Sequence, residues 1–234
     1  MTAFINGKYL DVNEALAQQI FNKEGVKKLL TTLNASEGDF HTKSGYAFDI
    51  KDAHTGKILA VETYVFVAEK AQIHVKSVNN GEEVAEVIFG DALVSEKGIV
   101  ENYEINNQQK VEKINVREDV EGFGAIIPAA LFDDENYKPL SSSSDIEEKD
   151  LPFCLSPYKH CGPGCGDFSN LGGGTPINRL DSCCKAHDTC WHNFGAWDPC
   201  CDKNVVRCAQ QNWSVDPVTA AAIQAAFIYN SNKC

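Results

Sequence analysis

Cysteine is absent from the first 153 residues of this 234-residue chain, and glutamate is absent from residues 151–234. No apolar run approaches the ~18 residues that a spanning helix needs, which excludes an integral helical membrane protein. The opening stretch, MTAFINGKYLDVNEALAQQ, has neither the basic start nor the apolar core of a secretory leader. Basic charge is also scarce. Twenty-one Lys and Arg stand against 33 Asp and Glu, a net charge of −12, so no nucleic-acid partner is expected. No internal repeat is visible.

What is present is divided as sharply as what is missing. All ten cysteines lie between Cys154 and Cys234. Residues 1–150 hold 15 basic against 27 acidic residues, whereas residues 151–234 hold six of each. A piece of roughly 80 residues builds only a small apolar core, so dense cysteine there points to covalent staples or metal. Ten is an even number, as five disulfides require. The chain is therefore read as α+β with two domains, 1–132 and 153–234, joined by the polar, serine-rich segment 133–152.

In the first unit, Leu16, Ile20, Leu29, Leu30 and Leu33 form a helical stripe over 11–33, interrupted at Gly25. Segments 45–51, 58–68, 71–78, 84–89 and 99–105 are rich in Val, Ile, Tyr and Phe and are separated by turn signals. The expectation is one helix followed by an antiparallel sheet, without chemistry of its own. His41, His54 and His74 are scattered and are expected to be surface or satisfied core residues.

In the second unit, Thr175-Pro176, Asp198-Pro199 and Asp216-Pro217 each pair a capping side chain with a proline, where the missing N–H is harmless. They predict helices over 176–194, 199–212 and 217–229, the alanine-rich third packing on the other two. Cys183 and Cys190 are two turns apart on the first helix, as are Cys201 and Cys208 on the second. Antiparallel neighbours with this matched spacing can bridge twice, as Cys183–Cys208 and Cys190–Cys201. Zinc on Cys161, Cys165 and the Cys183-Cys184-x-x-His187 cluster is the rival, but ten thiols overfill one or two tetrahedral sites. The glycine-rich run 162–174 carries no Gly-Lys-Ser/Thr, so it is no nucleotide loop. It can turn carbonyls towards a hard cation beside Asp188, with His187 as a candidate general base.

These residues resemble secreted phospholipase A2. Cys161-Gly162-Pro163-Gly164 is similar to that family's calcium loop, and Asp181-Ser-Cys-Cys-Lys-Ala-His187-Asp188-Thr-Cys190 to its active-site helix. Cys201-Asp202 with Cys208 resembles its second catalytic helix, and Gly174-Thr-Pro-Ile-Asn-Arg-Leu-Asp181 resembles a stretch of its compact viral members. The resemblance covers about 155–212. It implies a small, disulfide-stapled, three-helix domain hydrolysing the sn-2 ester of glycerophospholipids at a membrane surface. It further implies His187 as general base, Asp202 as its support, and Gly162 as oxyanion donor through its amide. Ca²⁺ would be held by Asp188 and the carbonyls of His160, Gly162 and Gly164. A Cys161–Cys184 bridge also follows from the family pattern, while Cys154, Cys165, Cys200 and Cys234 stay unassigned.

Trp191 departs from the usual tyrosine, leaving its indole or Tyr229 as candidates to bond Asp202. Only ten residues separate Cys190 from Cys201, so the β-wing of the larger members is missing, as in compact plant or microbial forms. Lys185 and His192 are taken as surface residues. The alternative function is a non-catalytic phospholipase-like toxin or membrane-binding module. The acidic N-terminal unit is expected to inhibit or chaperone the catalytic one as a prodomain, and the cysteine density implies secretion.

Overall fold

The structure is a computed structural model that describes all residues except 1–2, 53–54, 95–97, 107, 119–122, 128–131, 142–153, 156, 163 and 170. The chain opens with a strand that the sequence reading missed, β1 (Ala3–Leu10). Next come helices α1 (Glu14–Phe21) and α2 (Glu24–Leu33). The expected single helix is thus two, and the break falls at Asn22 and Lys23 rather than at Gly25. Asn22 caps α1 and extended Lys23 starts α2, so the stripe keeps its apolar side while the axis turns.

Six further strands follow: β2 (Thr42–Lys51), β3 (Ile58–Val67), β4 (Ala71–Asn79), β5 (Val84–Leu93), β6 (Val100–Ile105) and β7 (Val111–Arg117). All seven strands pair antiparallel in chain order, a simple meander. β7 was also unforeseen. Its burial is slight, so it carries little of the apolar alternation that marks the central strands.

Both faces of the sheet are covered, so β3 and β4 are buried almost without interruption, even at the polar Gln72, His74 and Lys76 of β4. Side chains alternate across a strand. Tyr64, Phe66, Ile73 and Val75 therefore meet Phe21, Val26 and Leu29 of α1 and α2. Val61, Val65, Val78 and Phe89 face the other way, into the C-terminal half.

That half holds α3 (Arg179–Phe194), α4 (Pro199–Gln211) and α5 (Pro217–Ser231). Asp198 and Asp216 cap α4 and α5 as expected, accepting N–H bonds from Cys200, Cys201 and Thr219. The first helix starts later than Thr175-Pro176 proposes. Asn178 is its cap, accepting from the Asp181 N–H at 2.9 Å. The Ile177 N–H donates to the Asp181 carboxylate at 3.0 Å, which keeps that residue in the loop ahead of the Asn178 cap.

α5 is buried on nearly every side. It packs on α4 and on β3, so the sheet and the stapled helices share one apolar core. Tyr229 of α5 donates its O–H to the Val78 carbonyl at 2.7 Å. His74 is fully buried in this shared interior, stacked on Phe89 at 4.4 Å with the Trp213 edge 3.9 Å away. It is a core residue but not a satisfied one: neither ring nitrogen has a partner among the described residues. His41 is exposed, and His54 lies outside the described residues.

Part of the segment read as linker is docked on the sheet. Asp134 receives the Asn6 amide at 2.7 Å and donates its own N–H to the Gly7 carbonyl. Tyr137 is buried and gives its hydroxyl to Asp49 at 2.8 Å. Residues 142–152 of that segment lie outside the described residues. Among the described residues, no helix is long and apolar enough to cross a membrane.

Candidate functional site

Five disulfides take up all ten cysteines. The double staple Cys183–Cys208 and Cys190–Cys201 joins α3 to α4 as the spacing requires. Cys161–Cys184 ties the glycine loop to α3, as the family pattern implies. Of the unassigned four, Cys154 pairs with Cys165 and Cys200 with Cys234. No thiol is left for zinc.

The staples set α3 and α4 in register, and the register brings His187 to Asp202. His187 Nε2 lies 2.8 Å from Asp202 Oδ1. An ionised carboxylate only accepts, so Nε2 carries the proton and Nδ1 the lone pair. Nδ1 is buried and has no partner among the described residues. The ring is held between Trp191 and Phe227, whose centroids lie 4.3 and 4.6 Å away.

Asp202 is fully buried and is satisfied by three donors. Besides His187, the Trp191 indole N–H reaches Oδ1 at 3.0 Å, and the Asn230 amide reaches Oδ2 at 2.7 Å. The indole thus takes the place left open in the sequence, whereas Tyr229 is engaged on the sheet. Asn230 was not foreseen. Its signal was a polar residue three positions after Phe227, hence on the face of α5 that meets His187.

The neighbouring Asp188 points the other way, into the glycine segment. Its Oδ2 is buried without a partner among the described residues, and burial followed by the charges of Asp167 and Asp181 pushes its pKa up to about 7. This carboxylate is short of a cation. Asp181 accepts N–H bonds from Lys159, His160 and Ile177 at 2.8–3.1 Å and so anchors both ends of the loop to α3. Gly166 is required where it stands: at φ +115° a Cβ there would lie 2.4 Å from Asp188 Oδ2. Gly162 and Gly164 also have positive φ, and the Gly162 carbonyl accepts from the Cys165 N–H at 3.2 Å.

Lys185 is only partly exposed and has a structural task. Its ammonium bonds Asp167 at 2.7 Å and the Gly174 carbonyl at 2.8 Å. His192 is exposed, as expected, and stacks on Phe168 at 4.1 Å. Among the described residues, no group of three or more His, Cys, Asp or Glu side chains converges as a metal site. A seat of one carboxylate plus backbone carbonyls is a different kind of donor set.

The chain is 46% identical over 41 residues to the acidic phospholipase A2 homolog taipoxin gamma chain of Oxyuranus scutellatus scutellatus, covering 18% of this chain and 22% of that one. It is 33% identical over 75 residues to acidic phospholipase A2 S17-58 of Austrelaps superbus, covering 32% of this chain and 44% of that one. The chain thus spans less than half the length of these relatives. No family model matches. No solved structure matches either. Part of this chain is similar to phospholipases A2 in sequence, and it stands in an α+β protein with a seven-stranded antiparallel sheet.

Proposed function

We propose that the chain is a calcium-dependent phospholipase A2, releasing fatty acid and lysophospholipid from the sn-2 ester of glycerophospholipids. The observation that carries this reading is the His187–Asp202 pair, 2.8 Å apart, with His187 Nδ1 and the separately directed Asp188 Oδ2 both buried and unpartnered among the described residues. The partial likeness to one phospholipase A2 and one phospholipase A2 homolog supports it.

His187 Nδ1 takes a proton from water as the oxygen attacks the ester carbonyl. The imidazolium that forms is held by Asp202, whose charge is kept in place by Trp191 and Asn230. The Gly162 amide donates to the oxyanion. Asp188 with the carbonyls of His160, Gly162 and Gly164 would hold Ca²⁺. When bound, the ion supplies charge that polarises the ester carbonyl and offsets the oxyanion. Exposed Phe168, Leu171, Ile177 and Phe194 supply apolar contact for a phospholipid surface, bound peripherally. The shared core favours a chaperoning role for the N-terminal sheet. Five disulfides favour an oxidising, extracellular setting.

The test is sn-2 fatty-acid release from phospholipid vesicles, with Ca²⁺ or excess chelator, for wild type and His187→Ala. Chelation should abolish release, and the mutation should cost about 10³-fold or more. Silence from both the intact chain and a chain cut within 142–152 would establish a non-catalytic membrane-binding module instead.

A further inference from the structure

We propose that the side chains of His160 and Asp188 form a mixed nitrogen–oxygen seat for a borderline divalent cation, zinc being the probe. The oxygen-only set described above uses the His160 backbone carbonyl and gives its imidazole no task. The ring nevertheless has a defined setting. His160 is completely buried, and its Nε2 lies 3.0 Å from the Gly174 carbonyl. A carbonyl only accepts, so Nε2 carries hydrogen and Nδ1 is left with the lone pair.

That lone pair faces Asp188 Oδ2 at 3.9 Å, too far for a hydrogen bond. Both atoms are buried, and neither has a hydrogen-bond partner among the described residues. Two buried acceptors facing one another across a gap call for a cation. Bonds of about 2.1 Å from nitrogen and from oxygen together span about 4.2 Å, so one zinc ion reaches both. The gap is kept open by Gly166, where a Cβ would stand 2.4 Å from Asp188 Oδ2 and 3.4 Å from His160 Nδ1.

The outer contacts match what metal-binding histidines use, a backbone carbonyl on the far ring nitrogen. Gly174 is itself fixed, its carbonyl by Lys185 at 2.8 Å and its N–H by Asp167 at 2.6 Å. Water would complete the coordination. Because the seat shares Asp188 with the proposed calcium set, zinc and calcium exclude one another. Zinc binding itself does not depend on the lipase reading, since vesicle hydrolysis can fail while zinc still binds.

The experiment is titration of Zn²⁺ into the full chain without lipid, by calorimetry and by ¹⁵N NMR of labelled histidine rings. One Zn²⁺ should bind per chain and shift His160 Nδ1. Affinity should fall by more than the ~10–100-fold that losing an outer-shell partner costs, both in His160→Phe and in Asp188→Asn. Wild-type affinity in either variant overturns the proposal. So does a zinc-induced shift at exposed His41 or His192 in place of His160, or no binding at all. The NMR reading uses the wild-type chain, so a variant that fails to fold leaves the question answerable.

Discussion

The sheet half buries Phe21, Phe66, Ile73 and Leu29 around a meander without a cross-link, whereas the helical half carries five disulfides on three helices. Their interiors explain the contrast. The buried side of α3 is Leu180, Asp181, Cys183, Cys184 and His187, with one large apolar residue among them. Chemistry occupies the face that would otherwise be core. Sulfur bridges then limit the freedom of the unfolded chain where burial cannot stabilise enough. The sheet has a larger aliphatic and aromatic interior and is held by strand pairing and packing without a covalent link. α5 mediates between them, satisfying Asp202 through Asn230 on one side and meeting the sheet on another.

The largest effect should come from separating the halves. A fragment of residues 154–234 would expose the apolar sides of α5, so it should lose its cooperative thermal transition and bind hydrophobic dye. A fragment that melts cooperatively and stays monomeric would show that the sulfur staples suffice without the sheet. Next, Phe66→Ala should cost about 3–5 kcal/mol by urea unfolding, since the sheet has no covalent support. Replacing both Cys183 and Cys208 by alanine should cost about 2–4 kcal/mol, with the other four bridges intact. Asn230→Ala should lower kcat about tenfold while unfolding shifts little, because Asp202 keeps two of its three donors.

The subtlest prediction concerns the seam between the halves. Lys76 of β4 is fully buried there, bonded to Gln224 of α5, and burial lowers its pKa from 10.5 to about 7. The opened state binds that proton more readily, so stability should fall as pH drops from about 10.5 towards 7. Burial, with the charges of Lys76 and Arg117, pushes His74 well below 6.5, which continues the loss in acid. Lys76→Met should flatten the upper part of this profile in thermal melts. An unchanged slope would place the seam's pH response elsewhere.

Local chemistry was legible in the sequence wherever covalent spacing or a repeating period carries it. Matched seven-residue cysteine spacing specifies the α3–α4 ladder, because two helical turns on one helix must meet two on the other. Asp-Pro caps mark the starts of α4 and α5, and segments rich in Val, Ile and aromatics, separated by turn signals, mark the central strands. The contact of His187 with Asp202, and the separate direction of Asp188, were legible through a motif whose order along α3 and α4 separates them. β7 was not, because its weak burial leaves no period to read, and neither was the start of α3, because the turn before it depends on backbone angles.

Tertiary structure alone decided which groups meet across long stretches of chain. Trp191 rather than Tyr229 bonds Asp202, because α5 turns Tyr229 towards the sheet. Asn230 reaches the same carboxylate from 28 residues away, and His160 Nδ1 faces Asp188 where the Cys161–Cys184 bridge ties the loop to α3. That α5 brings residues of the sheet and of the helices into one apolar cluster was decided the same way. α5 is apolar around most of its surface, and nothing in its own pattern says which neighbour covers each side. That depends on where two other helices and a sheet lie in space, a relation no local spacing encodes.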